Sequence, residues 1–69
     1  MAFPKISVRA ARVNAGLSQY EAAKLLNVSK ATLQNYESGK TIPDWDIVKN
    51  MEKIYSFPAD YIFFGRNSA

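Results

Sequence analysis

The sequence predicts one all-α domain of five short helices within its 69 residues. Three observations support this class. Apolar residues recur at helical spacings of three and four, and no segment alternates apolar and polar residues as a half-buried strand would. All three glycines also lie just past a proposed helix,. We expect a single domain over residues 1–69, with an ordered core at about 5–65 and a loose arm at Met1–Pro4.

The first helix is predicted over about residues 5–15, and it ends at Gly16, a residue type suited to the left-handed position after a helix,. One face of this helix is apolar and carries Val8, Ala11 and Ala15. A second apolar strip contains Ile6 and Val13. The sequence leaves open whether this strip packs on the C-terminal segment or meets another protein.

Residues 17–43 are predicted to form two helices joined by a tight turn. Ser18 and Glu21 have the spacing of a capping box, in which each side chain accepts a hydrogen bond from the backbone N–H of the other residue. Asn27 ends this second helix, because asparagine tolerates the left-handed conformation. Ser29 then caps the third helix. The segment therefore reads as helix, short turn and helix.

The third helix, residues 30–38, has two faces of different chemistry. The inward face carries Thr32, Leu33, Tyr36 and Glu37,. The outward face has no bulky apolar group and carries Lys30, Ala31, Gln34, Asn35 and Ser38. Small residues, amides and a lysine are the side chains that read base edges, so this face is suited to the major groove of DNA.

The last two helices are predicted from one apolar stripe and two helix-start signals. Asp44 caps a fourth helix whose stripe carries Trp45, Val48, Met51 and Tyr55, and we expect Trp45 and Tyr55 to be core residues,. A fifth helix is predicted at residues 59–64, after Pro58. Its four consecutive large side chains, residues 61–64, cannot all face inward, so part of this run is expected to form a dimer surface.

Charge and composition exclude several classes of protein. Residues 1–40 carry six basic and two acidic side chains, whereas residues 41–69 carry three basic and four acidic ones. The excess positive charge thus lies with the two-helix segment, as a phosphate-binding face requires. Without cysteine or histidine, thiolate zinc sites and the usual catalytic bases are excluded,. Asp44 and Asp46 do not share a helix face. We therefore expect neither enzymatic activity nor a bound metal ion or cofactor.

The longest apolar run, residues 61–64, is far too short to cross a bilayer,. No charged start followed by a long apolar stretch indicates a secretory signal. The expectation from these two observations is a soluble cytoplasmic protein with no membrane partner.

Three segments in order, RVNAGLSQ, NVSKATLQNYESGKTIP and DYIFFG, resemble the Cro and lambda-repressor-like helix-turn-helix family, also called the xenobiotic-response-element type. The resemblance covers residues 8–65 and implies a five-helix DNA-binding domain with the helix-turn-helix at helices two and three. Members of this family generally bind operator DNA as two-fold dimers and regulate transcription. The sequence departs from the family pattern at Asn27, Ala22 and Pro58, where glycine, leucine and serine are common.

The resemblance also implies roles for individual residues. The base-facing positions of the recognition helix, residues 30–38, are Lys30, Ala31, Gln34 and Asn35. The positions that approach phosphate are Arg9, Gln19, Ser29, Ser38 and Lys40. Arg12 and Glu37 match a structural ion pair between the first and third helices.

Two functions are compatible with these residues. The first is a sequence-specific regulator of the repressor or Cro type that binds double-stranded DNA as a homodimer. The second is a small phage or mobile-element modulator, antirepressor or antitoxin, which would act mainly by binding a repressor or a toxin. Spare apolar surface and a net charge of only +3 favour the second.

Overall fold

The computed structural model describes residues 5–65, and the arm predicted at Met1–Pro4 lies outside them. Four α-helices dominate this part of the chain. The elements in order are β1 (Ile6–Ser7), α1 (Val8–Asn14), α2 (Gln19–Leu26), α3 (Lys30–Ser38), α4 (Trp45–Tyr55), a 3-10 turn (Ala59–Tyr61) and β2 (Ile62–Phe63). The helices enclose one core, in which α2 contacts both α3 and α4.

The prediction of a fifth helix at residues 59–64 is wrong. After the single 3-10 turn the chain becomes extended, and β2 pairs in parallel with β1, so that Ile6 lies opposite Ile62. Extended backbone turns successive side chains to opposite sides. Ile62 is therefore buried, while the adjacent Phe63 is exposed.

The first helix also starts later than predicted, at Val8, because Ser7 is its N-cap and accepts a hydrogen bond from the Ala10 backbone N–H at 3.0 Å. Ile6 belongs to β1 and packs against the core, whereas Val13 is exposed on α1. The two residues therefore do not form the second apolar strip that the sequence suggested. Ile6 packs with the C-terminal segment, one of the two alternatives left open.

The predicted helix ends of the central segment are confirmed. The Ser18 side chain accepts from the Glu21 backbone N–H at 3.1 Å, and the Glu21 carboxylate accepts from the Ser18 backbone N–H at 3.0 Å. The second of these hydrogen bonds lowers the pKa of Glu21 below its usual value. Asn27 has φ 59°, in the left-handed region. Ser29 caps α3 through the Thr32 backbone N–H at 3.0 Å.

The core contains two of the four residues in the predicted stripe of α4, Met51 and Tyr55. Buried side chains from every α-helix and from β2 meet there, namely Val8, Ala11, Ala22, Ala23, Leu26, Leu33, Met51, Tyr55 and Ile62. The prediction that Trp45 is a core residue is wrong, since 69% of it is exposed. Trp45 is the first residue of α4, and helical side chains tilt toward the N-terminus, so its ring projects beyond the helix. The Lys49 Nζ lies 5.4 Å from the ring centroid.

Helices long and apolar enough to cross a membrane are absent from residues 5–65.

Candidate nucleic-acid interface

Helix α3 is held by its inner face and presents its outer face to solvent. Leu33 is completely buried and anchors the helix against the core. The helix ends at Gly39, whose φ of 80° is the left-handed conformation that glycine adopts readily,. Of the outward positions predicted to face bases, Lys30, Ala31 and Gln34 are exposed and Asn35 is partly buried.

An open groove of about 710 Å³ lies beside this outer face, between α1, the start of α2 and α3. It brings together seven of the residues singled out in the sequence, which are Arg9, Arg12, Gln19, Lys30, Gln34, Glu37 and Ser38. The exposed cations Arg9 and Lys30 contribute to its rim. Such a concave, cationic surface suits a polyanion.

The ion pair between Arg12 and Glu37 lies beneath the groove and ties α1 to α3. The Arg12 Nε lies 2.6 Å from Glu37 Oε2, and Arg12 Nη2 lies 3.3 Å from Oε1. The third guanidinium nitrogen donates to the Leu17 carbonyl at 2.7 Å. Only 8% of the Arg12 side chain and 5% of the Glu37 side chain are exposed. Because Arg12 occupies both carboxylate oxygens, the negative charge of Glu37 is balanced within the protein.

Gln19, a predicted phosphate contact, forms hydrogen bonds on both sides within the protein. Its Nε2 donates to Glu37 Oε1 at 3.0 Å. Its Oε1 accepts from Gln34 Nε2 at 3.4 Å. An amide nitrogen carries two hydrogens, so Gln19 keeps one N–H available for a phosphate oxygen. Gln19 therefore lies between the buried charge and the outward face of α3.

The remaining predicted residues surround α3 at its two ends. Ser29 lies at the start of α3, where its hydroxyl donates to Thr32 Oγ1 at 2.9 Å. At the other end the Ser38 hydroxyl donates to the Asn35 carbonyl at 3.3 Å and accepts from the Lys40 backbone N–H at 3.4 Å. The Lys40 side chain is exposed in the loop after α3.

Sequence reasoning missed Tyr20. It follows Gln19 on α2, is 69% exposed, and lines the same groove as Arg9 and Lys30. Its position on the helix could have indicated this, since Tyr20 lies well away from the buried Ala22 and Leu26 on the helical wheel,.

Groups of three or more acidic, histidine or cysteine side chains that could hold a metal ion are absent from residues 5–65.

A family model described as helix-turn-helix matches residues 8–62. The HTH-type transcriptional regulator ImmR of Bacillus subtilis (strain 168) is 36% identical over 55 residues, which are 80% of this chain and 43% of that protein. Multiprotein-bridging factor 1c of Arabidopsis thaliana is 32% identical over 50 residues, 72% of this chain and 34% of that protein.

The chain thus spans less than half the length of these two relatives. No solved structure matches it significantly. The family match covers more than half of the chain and includes α2, the turn and α3. The chain therefore belongs to the Cro and lambda-repressor-like helix-turn-helix family.

Proposed function

We propose that this chain is a DNA-binding transcriptional regulator of the repressor or Cro type, which reads double-stranded DNA by placing α3 in the major groove. One observation carries the proposal. The outer face of α3 is exposed and polar, and it borders an open groove with Arg9 and Lys30 on its rim. A major groove is wide enough for one helix, and flanking cations then meet phosphates.

Each residue type supports one kind of contact. The Lys30 ammonium suits the guanine O6 and N7 acceptors, and the amides of Gln34 and Asn35 suit adenine N6 and N7. The methyl group of Ala31 suits the thymine methyl. We assign the predicted phosphate contacts to positions around α3, where they would fix register without reading sequence: Arg9, Gln19, Ser29, Ser38 and Lys40.

The proposal includes a two-fold homodimer in the cytoplasm. Two copies of α3 about 34 Å apart would enter successive major grooves on one side of the duplex, and the operator would be a near-palindrome. The family resemblance supports this arrangement, as does the exposed apolar surface at Ile42 and Trp45.

The test compares one base-facing and one phosphate-facing variant. Binding sites are selected from a randomised duplex library, and affinities are measured by fluorescence anisotropy at several salt concentrations. Asn35→Ala should lose on the order of 5- to 150-fold discrimination at one base pair. Lys40→Ala should weaken binding to all sequences alike. It should also reduce the slope of log affinity against log salt concentration by about 1. Lys53→Ala, an exposed lysine on α4, is the matched control and should change neither.

If Asn35→Ala and Lys40→Ala behave alike on selected and scrambled DNA, the assigned roles are wrong. If the parent chain selects no sequence at low salt, the proposed function is wrong.

The alternative, a modulator that binds a repressor or a toxin, is favoured by a different observation. Tyr20 and Leu25 are large exposed apolar residues on α2. Large exposed apolar side chains are typical of protein-binding surfaces. Two measurements separate the functions: light scattering gives the oligomeric state, and a gel shift tests binding to DNA from the control region of this protein's own gene. A monomer that shifts no DNA at low salt favours the modulator.

A further inference from the structure

We infer that Glu37, acting through Gln19, fixes the direction of the Gln34 amide, so that Gln34 selects adenine over guanine. We call the Glu37–Gln19–Gln34 chain of hydrogen bonds the amide relay. The inference rests on the proposed function, because it names what one residue of that interface reads and what positions it. Glu37 and Gln19 are positioning residues in this scheme, and Gln34 contacts the base.

The first step of the amide relay is set by the Glu37 carboxylate. A carboxylate paired with a guanidinium can only accept hydrogen bonds. Arg12 donates to both of its oxygens, and Oε1 also receives a hydrogen bond from Gln19 Nε2 at 3.0 Å. If the Gln19 amide were rotated by half a turn, its carbonyl oxygen would face the carboxylate at the same short distance. Because 5% of the Glu37 side chain is exposed, solvent screens that repulsion little,. Gln19 must therefore turn its nitrogen inward.

The second step follows from the first. With its nitrogen turned toward Glu37, Gln19 presents its carbonyl oxygen to Gln34. Like the carboxylate, this oxygen can only accept hydrogen bonds. Gln34 meets it with Nε2, at 3.4 Å. The contact uses one of the two N–H groups of Gln34. The exposed side of this residue is left with one donor, the second N–H, and one acceptor, Oε1.

This remaining pair distinguishes the two purines. Adenine presents an acceptor at N7 and a donor at N6, which match one N–H and one carbonyl oxygen. Guanine presents two acceptors, N7 and O6, and needs two donors. A Gln34 amide turned the other way would keep both N–H groups free and would suit guanine. The amide relay thus excludes the orientation of the Gln34 amide that would favour guanine. Guanine would instead be bound by the ammonium of Lys30, which only donates hydrogen bonds.

The test removes the acceptor between Glu37 and Gln34 while keeping a donor toward Glu37. Gln19→Lys provides an ammonium that still donates to the carboxylate and attracts phosphate, but it offers Gln34 no acceptor. Gln19→Met offers neither group and checks that the added charge is not responsible. Both variants are first compared with the parent by circular dichroism and thermal unfolding, and Lys53→Ala is the control.

For each protein, binding sites are selected from a randomised duplex library, and the adenine-to-guanine ratio of affinities is measured at every position of the best site. Gln34→Ala identifies the position that Gln34 reads, where the parent ratio should be on the order of 5- to 150-fold. Gln19→Lys and Gln19→Met should both lower the ratio there to a few-fold or less, and leave the other positions unchanged. In the Gln34→Ala background, Gln19→Lys should have no further effect on that ratio.

Two results would overturn the inference while leaving the proposed function intact. One is a change of affinity by the same factor for all sequences in both Gln19 variants, with the ratio preserved. The other is an adenine preference that survives Gln34→Ala at every position.

Nuclear magnetic resonance of the DNA-free chain gives a separate readout. The side-chain amide signals of Gln34 should shift in Gln19→Met but not in Lys53→Ala, and equal spectra would show that no amide relay exists. A parent chain that selects no DNA overturns the proposed function, even where these amide signals shift as expected.

Discussion

Replacing Arg12 with methionine should bring the domain close to unfolding. The substitution removes three hydrogen bonds, two to the Glu37 carboxylate and one to the Leu17 carbonyl. It leaves a carboxylate whose side chain is 5% exposed with Gln19 as its remaining side-chain donor. Removing one partner of a buried pair costs about 3–5 kcal/mol. A chain of 69 residues has roughly 3–10 kcal/mol of total stability at the usual ~0.05–0.15 kcal/mol per residue,.

The assay is urea unfolding followed by far-UV circular dichroism at neutral pH, with the cycle completed by Glu37→Leu and the double variant. Because the double variant leaves no unpaired charge, we expect it to be more stable than Arg12→Met alone. Lys53→Ala should stay within about 0.5 kcal/mol of the parent. A loss below about 1 kcal/mol for Arg12→Met is the value of a solvent-exposed pair. That result would refute the argument that burial makes this pair indispensable.

Two further expectations concern the backbone and the core. Asn27→Ala should lose about 1 kcal/mol in urea unfolding, because φ is 59° there and a Cβ without a compensating polar group is strained,; Asn27→Gly is the control and should not be less stable than Asn27→Ala. Burial, with a smaller contribution from the Glu37 charge, raises the pKa of Tyr55 to about 12. The folded protein thus holds the phenol proton more tightly than the unfolded chain, so stability is intact below about pH 10 and falls as pH rises through 12. Tyr55→Phe should flatten this alkaline loss in urea titrations from pH 7 to 12. The substitution should change the free energy of unfolding little at pH 7, because the buried hydroxyl has no hydrogen-bond partner among residues 5–65. An equal loss of stability at alkaline pH in parent and variant would contradict the assignment to Tyr55.

Helix starts and ends were predictable because their causes are local. The capping box at Ser18 and Glu21, the left-handed Asn27 and the cap at Ser29 each depend on residues within four positions. The pairing of β1 with β2 joins positions 56 residues apart, Ile6 and Ile62, and two-residue strands are too short to show alternation. Sequence periodicity therefore could not reveal it.

Trp45 illustrates a different limit of periodicity. It belongs to the stripe that includes Met51 and Tyr55, both buried, yet it is 69% exposed. A helical wheel treats every position as if the helix continued in both directions. The first residue of α4 has no preceding turn beneath its side chain, so membership of the stripe did not imply burial.

Most residues that line the groove were singled out from the sequence, but the hydrogen bonds that Gln19 makes with two of them were not. The helical wheel of α3 separated an outward polar face from Leu33 and Glu37, and the groove brings together seven of the predicted residues. The hydrogen bonds from Gln19 to Glu37 and Gln34 depend on how α2 and α3 cross. The angle at which two helices cross is set by packing among several helices. The sequence therefore predicted a phosphate contact for Gln19 but not its hydrogen bonds within the protein.

Glu37 takes part both in the buried ion pair and in the proposed amide relay. Its carboxylate anchors α3 to α1 through Arg12 and, in the proposed amide relay, orients Gln34 through Gln19. Substitutions at Glu37 therefore change both stability and base preference and cannot separate them. Gln19 is only partly buried and has no contact with Arg12 among the hydrogen bonds described, so changes there can alter base preference while the anchor persists. Substitutions at Gln19 should accordingly change base preference without loss of the fold. At Glu37, any polar replacement that cannot accept hydrogen bonds from Arg12 should destabilise the domain.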